Sequence, residues 1–247
     1  MEKPRAWPPL AALDALHARY VREVVEDLSL CPFARKCREL GRLHRPLFPA
    51  PASALDAARR LFDVVSAHPD VEIVLLTFIT RGAVPGAPPA PTPAEQAFAD
   101  CQRFDEFVKE VRDAYAGLPR ASERFYMVGF HPAYTRADTR RPLTPDSLVP
   151  LLRRTPDPVI QCIRADLLDQ IRRQAQTAAD ARFREEMARL GPEFLILAER
   201  AIQADPELSQ DIARHNFESV GSGPGRARLE GLIADILAAR RALETEP

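Results

Sequence analysis

Cysteine is scarce in this sequence: there are four in 247 residues, and no two of them form a Cys-x-x-Cys pair. A disulfide-stabilised secreted scaffold is therefore not indicated, and the low count is typical of a protein from a reducing compartment. The spacing of Cys31, Cys37 and His44 matches no common zinc pattern, so we expect no metal site from these residues.

Long apolar runs, a surplus of charge and a Walker phosphate loop are also missing. No stretch approaches the ~20 apolar residues that a membrane span needs, and Met1 is followed by charged residues rather than by an apolar leader. The formal net charge of -1 provides no basic surplus for nucleic acid. We therefore expect a cytoplasmic protein that binds neither membranes nor nucleic acid.

The apolar fraction of 46% is enough to build a core, and two segments are typical of strands. Residues 71–80 contain a continuous apolar run, which indicates a strand covered on both faces. Residues 124–130 form the second strand, and a helix over 92–115 separates the two. This order predicts a right-handed parallel crossover. We expect an α/β fold with a short, mostly parallel sheet flanked by helices.

Helical patterns precede and follow this sheet. Residues 10–28 carry apolar side chains at three- and four-residue spacing, which predicts an amphipathic helix that stops at Ser29. After Pro158 the pattern is helical, starting with a long helix over 160–190. We predict an α/β core over 1–158 that carries the site, and a helical extension over 159–247 packed on it. The extension also offers a surface for homo-oligomer formation.

Cys31 lies between the first helix and a second helix that Pro32 begins and that runs to about Leu40. As the N-cap of that helix, Cys31 would face unpaired N–H groups and the positive end of the helix dipole, which favour a thiolate. Arg35 and Lys36 add positive potential nearby. The alternative is a small buried residue in a turn.

His131 directly follows the second strand and precedes Pro132. Ligands of such sheets gather beyond the carboxyl ends of the strands, where Arg81 also lies. His131 is therefore a candidate base, proton shuttle or ligand, and Asp105 on the preceding helix is a candidate to orient it. The alternative is a histidine that seals the turn by hydrogen bonds to the backbone.

Residues 134–158 are rich in arginine and proline. Tyr134 and Arg154 belong to this segment, and arginines near the same sheet edge can hold a carboxylate or phosphate in bidentate fashion. A solvated face with a few ion pairs explains the same residues.

Three motifs together resemble the bacterial family known as domain of unknown function 1415, whose pattern is Leu-Cys-Pro-Phe-Ala, Phe-His-Pro and Arg-Ser-Pro-x-Pro. The motifs in this chain are Leu30-Cys31-Pro32-Phe33-Ala34, Phe130-His131-Pro132-Ala133-Tyr134 and Arg154-Thr155-Pro156-Asp157-Pro158. The resemblance covers roughly residues 10–172, and Gln161 stands where family members often have histidine. It implies that Cys31, His131 and Arg154 share one site, and it implies no reaction.

These observations favour an enzyme with a thiolate at Cys31 and an acid–base partner at His131, acting by acyl transfer or thiol redox chemistry on a small anionic substrate. The candidate catalytic residues are Cys31, His131 and Asp105, and the candidate substrate-binding residues are Arg81, Tyr134 and Arg154.

Two other functions fit the same sequence. Cys31 or His131 could be an axial ligand of haem or of a non-haem metal, although no motif identifies a cofactor. Alternatively, the chain is a non-catalytic binding or scaffold protein whose long helices form a partner surface.

Overall fold

The computed structural model describes residues 9–49, 53–79, 98, 100–119, 121, 123–134, 144–170 and 208–245, with single positions at 173, 177, 181, 184, 185 and 189. The helices are α1 Leu10–Tyr20, α2 Ala34–Glu39, α3 Ala54–Ala67, α4 Cys101–Ala116, α5 Pro145–Leu152, α6 Leu208–Val220 and α7 Gly223–Thr245, and a π-helix, Val21–Glu26, continues α1. The strands are β1 Leu43–His44, β2 Leu47–Pro49, β3 Ile73–Ile79, β4 Phe125–Phe130 and β5 Val159–Arg164.

The five strands form one sheet in the order β1-β3-β5-β4, and β2 also pairs with β3. β1 and β2 run parallel to β3, whereas β5 runs antiparallel to both β3 and β4. Four strands therefore share one direction, and β3 and β4 are separated by β5. The predicted α/β class, a mostly parallel sheet flanked by helices with further helices at the C-terminal end, is confirmed.

Strand β5 corrects the prediction of one long helix over 160–190. Val159, Ile160 and Cys162 are buried, and their backbone pairs with a strand on each side. The apolar spacing after Pro158 also fits a helix, but β-branched residues pack well in a central strand, and long-range pairing decides between the two. Because β5 lies between β3 and β4, the sheet extends past the predicted domain boundary at residue 158.

Both faces of β3 are covered, as the continuous apolar run predicts. Val74, Leu76 and Phe78 belong to a first core, which α3 and α4 complete on one face of the sheet. Leu75 points to the opposite face, which contacts a second core. This second core joins the N-terminal helix to the C-terminal helices through Tyr20, Val24, Leu148, Val220, Leu229, Ile233 and Ile236.

The predicted helix ends are found at several positions. Ser29 adopts a left-handed backbone with φ 54°, which ends the first helical segment where the sequence predicts. The Ser53 hydroxyl accepts a hydrogen bond from the Asp56 N–H at 3.2 Å, as expected of an N-cap. The helix predicted over 92–115 begins later than expected: Asp100 has an extended backbone and caps α4, which starts at Cys101. Residues 92–97 and the predicted loop over 81–93 lie outside the described residues.

The C-terminal helices bury their apolar side chains within the chain. Val220, Leu229 and Ile236 pack against α1 and the π-helix rather than facing solvent. Association of two copies through these helices stays a prediction. None of the helices in the described part of the chain is long and apolar enough to cross a bilayer.

Candidate functional site

His131 lies at the carboxyl end of β4, where the sequence places it, and both of its ring nitrogens are hydrogen-bonded to backbone. The Ala133 N–H donates to Nδ1 at 3.1 Å, which leaves the ring proton on Nε2 to donate to the Phe98 carbonyl at 3.0 Å. Burial lowers the pKa of the imidazole, although the Phe98 hydrogen bond and the charges of Asp100 and Asp105 oppose that change. His131 is therefore a neutral histidine that fixes the turn after β4.

Asp105 and Tyr134 meet beside this turn, and their shared partner is Arg153. The Tyr134 hydroxyl donates to Asp105 Oδ1 at 2.6 Å, and an Arg153 Nη donates to the same oxygen at 2.7 Å. Arg153 Nε also donates to the Gly129 carbonyl at 2.7 Å. Burial, followed by the hydrogen bond to Asp105, raises the pKa of Tyr134. Asp105 thus anchors Tyr134 and Arg153 and makes no hydrogen bond to His131.

Cys31 lies in a turn before α2, which begins at Ala34 rather than at Pro32. Burial raises the pKa of its thiol, and hydrogen bonds from the Phe33 and Ala34 N–H groups offset only part of that rise. Arg35 adds little positive potential, since its guanidinium lies 3.1 Å from Asp27 and 3.7 Å from Glu26. The thiol, rather than the thiolate, is the form favoured at neutral pH.

The structure brings three of the predicted site residues together: the Tyr134 hydroxyl donates to Asp105, and the Tyr134 ring contacts the ring of His131. In the described part of the chain, the side chain of His131 contacts Phe98, Phe104, Ala133 and Tyr134. Its backbone N–H donates to the Arg153 carbonyl at 2.9 Å, and none of these contacts reaches Cys31. Arg81 lies outside the described residues.

The described residues also contain no group of three histidine, cysteine or acidic side chains able to hold a metal ion. The Cys37 thiol donates a hydrogen bond to Glu72 at 3.0 Å. Burial, followed by this hydrogen bond, raises the pKa of Cys37 to about 12.

A cavity lies instead between the sheet and the N-terminal helix, with a volume of about 50 Å³. Each of the three motifs contributes one residue to its wall: Ala34, Phe130 and Thr155. The π-helix contributes Val21 and Val25, and π-helical turns occur frequently at functional sites. The remaining wall is formed by His17, Tyr20, Leu43, Arg45, Ile73, Leu75, Thr77, Val159 and Gln161.

A buried triad of charged and polar side chains adjoins this cavity. Asp157 Oδ2 accepts a hydrogen bond from His17 Nε2 at 3.0 Å, and the Arg240 guanidinium binds the same carboxylate with contacts of 2.8 to 2.9 Å. All three side chains are at most 5% exposed. Burial alone would raise the pKa of Asp157, but the bonds from His17 and Arg240 together hold it below its ordinary value.

The sequence does not predict this triad, although one position of α1 indicates a buried polar contact. His17 falls on the same helical stripe as Leu13, Leu16 and Tyr20, so a polar side chain occupies a core position. Such a group needs a buried partner. That partner, Asp157, lies 140 residues away in the third motif, and nothing local indicates that it meets His17.

Arg154 does not line the cavity. It lines a separate surface cleft formed with Leu151 and residues of α7. The Arg-Thr-Pro-Asp-Pro motif thus divides its side chains: Thr155 lines the cavity, Asp157 belongs to the triad, and Arg154 lines the cleft.

Comparison of the chain with family models, with curated proteins and with solved structures finds no match.

Proposed function

We propose that this protein is an enzyme that binds a small anionic molecule in the central cavity and transfers a proton there through His17. The observation that carries the proposal is the convergence of all three sequence motifs on one cavity that a buried His–Asp–Arg triad adjoins. A pre-formed, mostly apolar cavity with a few polar groups is the usual form of a small-molecule site. We also propose that the chain is a member of the family known as domain of unknown function 1415 and that the protein is cytoplasmic.

The polar side chains of the cavity wall favour an anion over a cation. His17 and Arg45 belong to the wall, and none of its described residues is acidic. Arg45 Nη1 lies 3.2 Å from the Asp14 carbonyl and 3.3 Å from its carboxylate, which leaves other donors of the guanidinium available to a ligand. Val21 and Leu75 would contact an apolar portion of the ligand.

The size of the cavity limits the ligand to a few heavy atoms. One water needs roughly 10 to 15 Å³ of such space, so the cavity of about 50 Å³ holds roughly three to five waters. Because bonded atoms lie closer together than separate waters, a ligand of up to about six heavy atoms fits this space. A short-chain carboxylate meets both the size and the charge requirement.

The triad prepares His17 for proton transfer. A hydrogen bond to the Asp157 carboxylate requires the ring proton on Nε2, so Nδ1 is the atom that can accept a proton. Within the described residues Nδ1 has no partner. Because Arg240 keeps Asp157 ionised, the carboxylate can stabilise the imidazolium that forms when Nδ1 is protonated.

The hypotheses built on Cys31 and His131 have less support in this geometry. The thiol of Cys31 is protonated at neutral pH, and metal ligation or base catalysis by His131 would break a backbone hydrogen bond. Both remain predictions, which the alkylation rate of Cys31 in the wild type and in His131→Gln tests.

The proposal is tested by titrating the protein with butyrate and with butyramide, its neutral counterpart, while the His17 resonances are followed by NMR. Butyrate should shift these resonances and raise the melting temperature more than butyramide does. Ala34→Leu, which fills the cavity, should abolish both effects. Ala57→Leu, an equal enlargement at a buried position of the first core, should leave them intact.

Catalysis is tested separately by the exchange of carbon-bound protons of pyruvate with D2O. His17→Gln should lower the exchange rate by about 10² or more. If none of these small molecules perturbs His17 and no exchange occurs above the rate in buffer, the cavity is a packing void and the non-catalytic scaffold hypothesis takes precedence.

A further inference from the structure

The surface cleft that contains Arg154 is distinct from the central cavity and larger. It lies between α5 and α7 and has a volume of about 320 Å³. Its apolar wall is formed by Leu151, Ile233 and Leu237. Small-molecule pockets in proteins are typically ~300 to 1,000 Å³, so this cleft falls within their size range and the central cavity does not.

The charged residues of the cleft leave a positive surplus. Arg154, Arg241 and Glu230 line it. The Glu230 carboxylate already accepts a hydrogen bond from Arg226 Nε at 2.7 Å, so its charge is neutralised along the helix. No carboxylate among the described residues pairs with Arg154 or with Arg241.

Of the two arginines, Arg154 gives the stronger indication of a bound anion. Its Nε atom is buried and has no hydrogen-bond acceptor within the described part of the chain. A buried donor without a partner is unfavourable, and nearly all such groups in proteins are paired with protein, water or a ligand. An anion bound in the cleft would supply an acceptor for the guanidinium of Arg154, which lines it.

We propose that this cleft is a second ligand site, specific for an amphiphilic anion in which a carboxylate or phosphate group is attached to an apolar body. The head group binds Arg154 and Arg241, because guanidinium groups bind both anions through paired N–H donors. The body lies against Leu151, Ile233 and Leu237. The site is independent of the proposed chemistry at His17, since the cleft and the cavity share no lining residue.

Isothermal titration calorimetry with octanoate, octyl phosphate and octanol tests this site on the full chain. At least one of the two anions should bind with a stoichiometry of one, and octanol should bind at least tenfold more weakly. The anion that binds more tightly identifies the head group. Equal affinity for octanol and both anions, or no binding of either anion, would overturn the proposal.

Variants of the two cleft arginines test the contact with the anion, and a variant of one α7 arginine outside the cleft is the matched control. Arg241→Gln and Arg154→Gln should each weaken anion binding about tenfold or more, as expected of a charge-assisted contact. Arg228→Gln removes the same charge from an exposed position of α7 outside the cleft and should change affinity less than twofold. Equal weakening in Arg228→Gln would indicate a nonspecific charge effect and contradict the site.

A blocking variant separates this proposal from the proposed function. Leu237→Trp enlarges a side chain on the apolar wall of the cleft and keeps both arginines. It should abolish binding of whichever anion binds the wild-type protein, while the butyrate response of His17 persists. Ala34→Leu should abolish the butyrate response and retain binding of that anion. Retention of that anion in a folded Leu237→Trp protein would place it elsewhere.

Discussion

At the scale of single residues, the ionisation of Cys31 depends on two opposing effects. The N–H groups of Phe33 and Ala34 stabilise a negative sulfur, while removal of the sulfur from water stabilises the thiol. The second effect is larger, so the pKa is raised. Local sequence reveals the N–H groups, because they follow from the turn at Pro32, but it does not reveal how deeply neighbouring elements bury the sulfur.

Alkylation of Cys31 by iodoacetamide, followed by peptide mass spectrometry between pH 7 and 10, tests this ionisation. Because the folded pKa is raised, the rate should reach its midpoint above the ordinary value of 9.0, and labelling near pH 7 should be slower than for the same chain in urea. His131→Gln should leave the profile unchanged. A midpoint below the ordinary value that rises in His131→Gln would instead support a thiolate–histidine pair.

At the scale of secondary-structure elements, α4 approaches β4 closely at Gly129. A Cβ atom at this position would lie 3.1 Å from Asp105 Oδ1, 3.1 Å from Val108 Cγ2 and 3.2 Å from Phe104 Cδ1. The glycine therefore lets α4 place Asp105 within reach of Tyr134 and Arg153. The Arg153 hydrogen bond to the Gly129 carbonyl adds to the same contact.

Gly129→Ala should lower the free energy of unfolding by about 1–3 kcal/mol, because α4 must shift to accommodate the methyl group. Gly231→Ala is the control: Gly231 lies in α7, and an added Cβ would meet no atom within 4 Å, so alanine should raise stability by about 0.5–1 kcal/mol through helix propensity. Urea unfolding followed by circular dichroism measures both. Equal effects in the two variants would show that close packing at Gly129 is not required.

The sequence predicts those elements whose cause is local. The strand at β3 follows from a continuous apolar run, and the helix stop at Ser29 and the cap at Ser53 follow from short-range chemistry. Strand β5 was missed because its partners, β3 and β4, are far away in the chain. The candidate site was missed in part for the same reason, since His17 and Arg240 meet Asp157 only through tertiary folding.

At the scale of the whole molecule, the sheet unites segments that the sequence assigns to two parts. β5 lies between β3 and β4 and satisfies the backbone of both. The C-terminal helices complete the second core on α1 and the π-helix. A division at residue 158 would leave unpaired strand edges and an open core on one side of it.

A protein shortened to residues 1–158 should therefore lack a cooperative unfolding transition, whereas the full chain should unfold in one transition. Urea titration followed by circular dichroism distinguishes the two outcomes. A cooperative transition of the shortened protein would show that residues 1–158 fold alone, as the sequence suggests.

The triad also has a consequence for the order in which the chain folds during synthesis. Arg240 lies 83 residues after Asp157, and chains emerge from the ribosome N-terminal end first. Until Arg240 emerges, burying the Asp157 carboxylate carries the penalty of a charge with an incomplete set of partners. The apolar surfaces of α1 and α5 therefore stay exposed while the C-terminal part is translated. Exposed apolar surfaces of this kind favour aggregation, so the nascent chain is most prone to it in the interval before α7 packs on them.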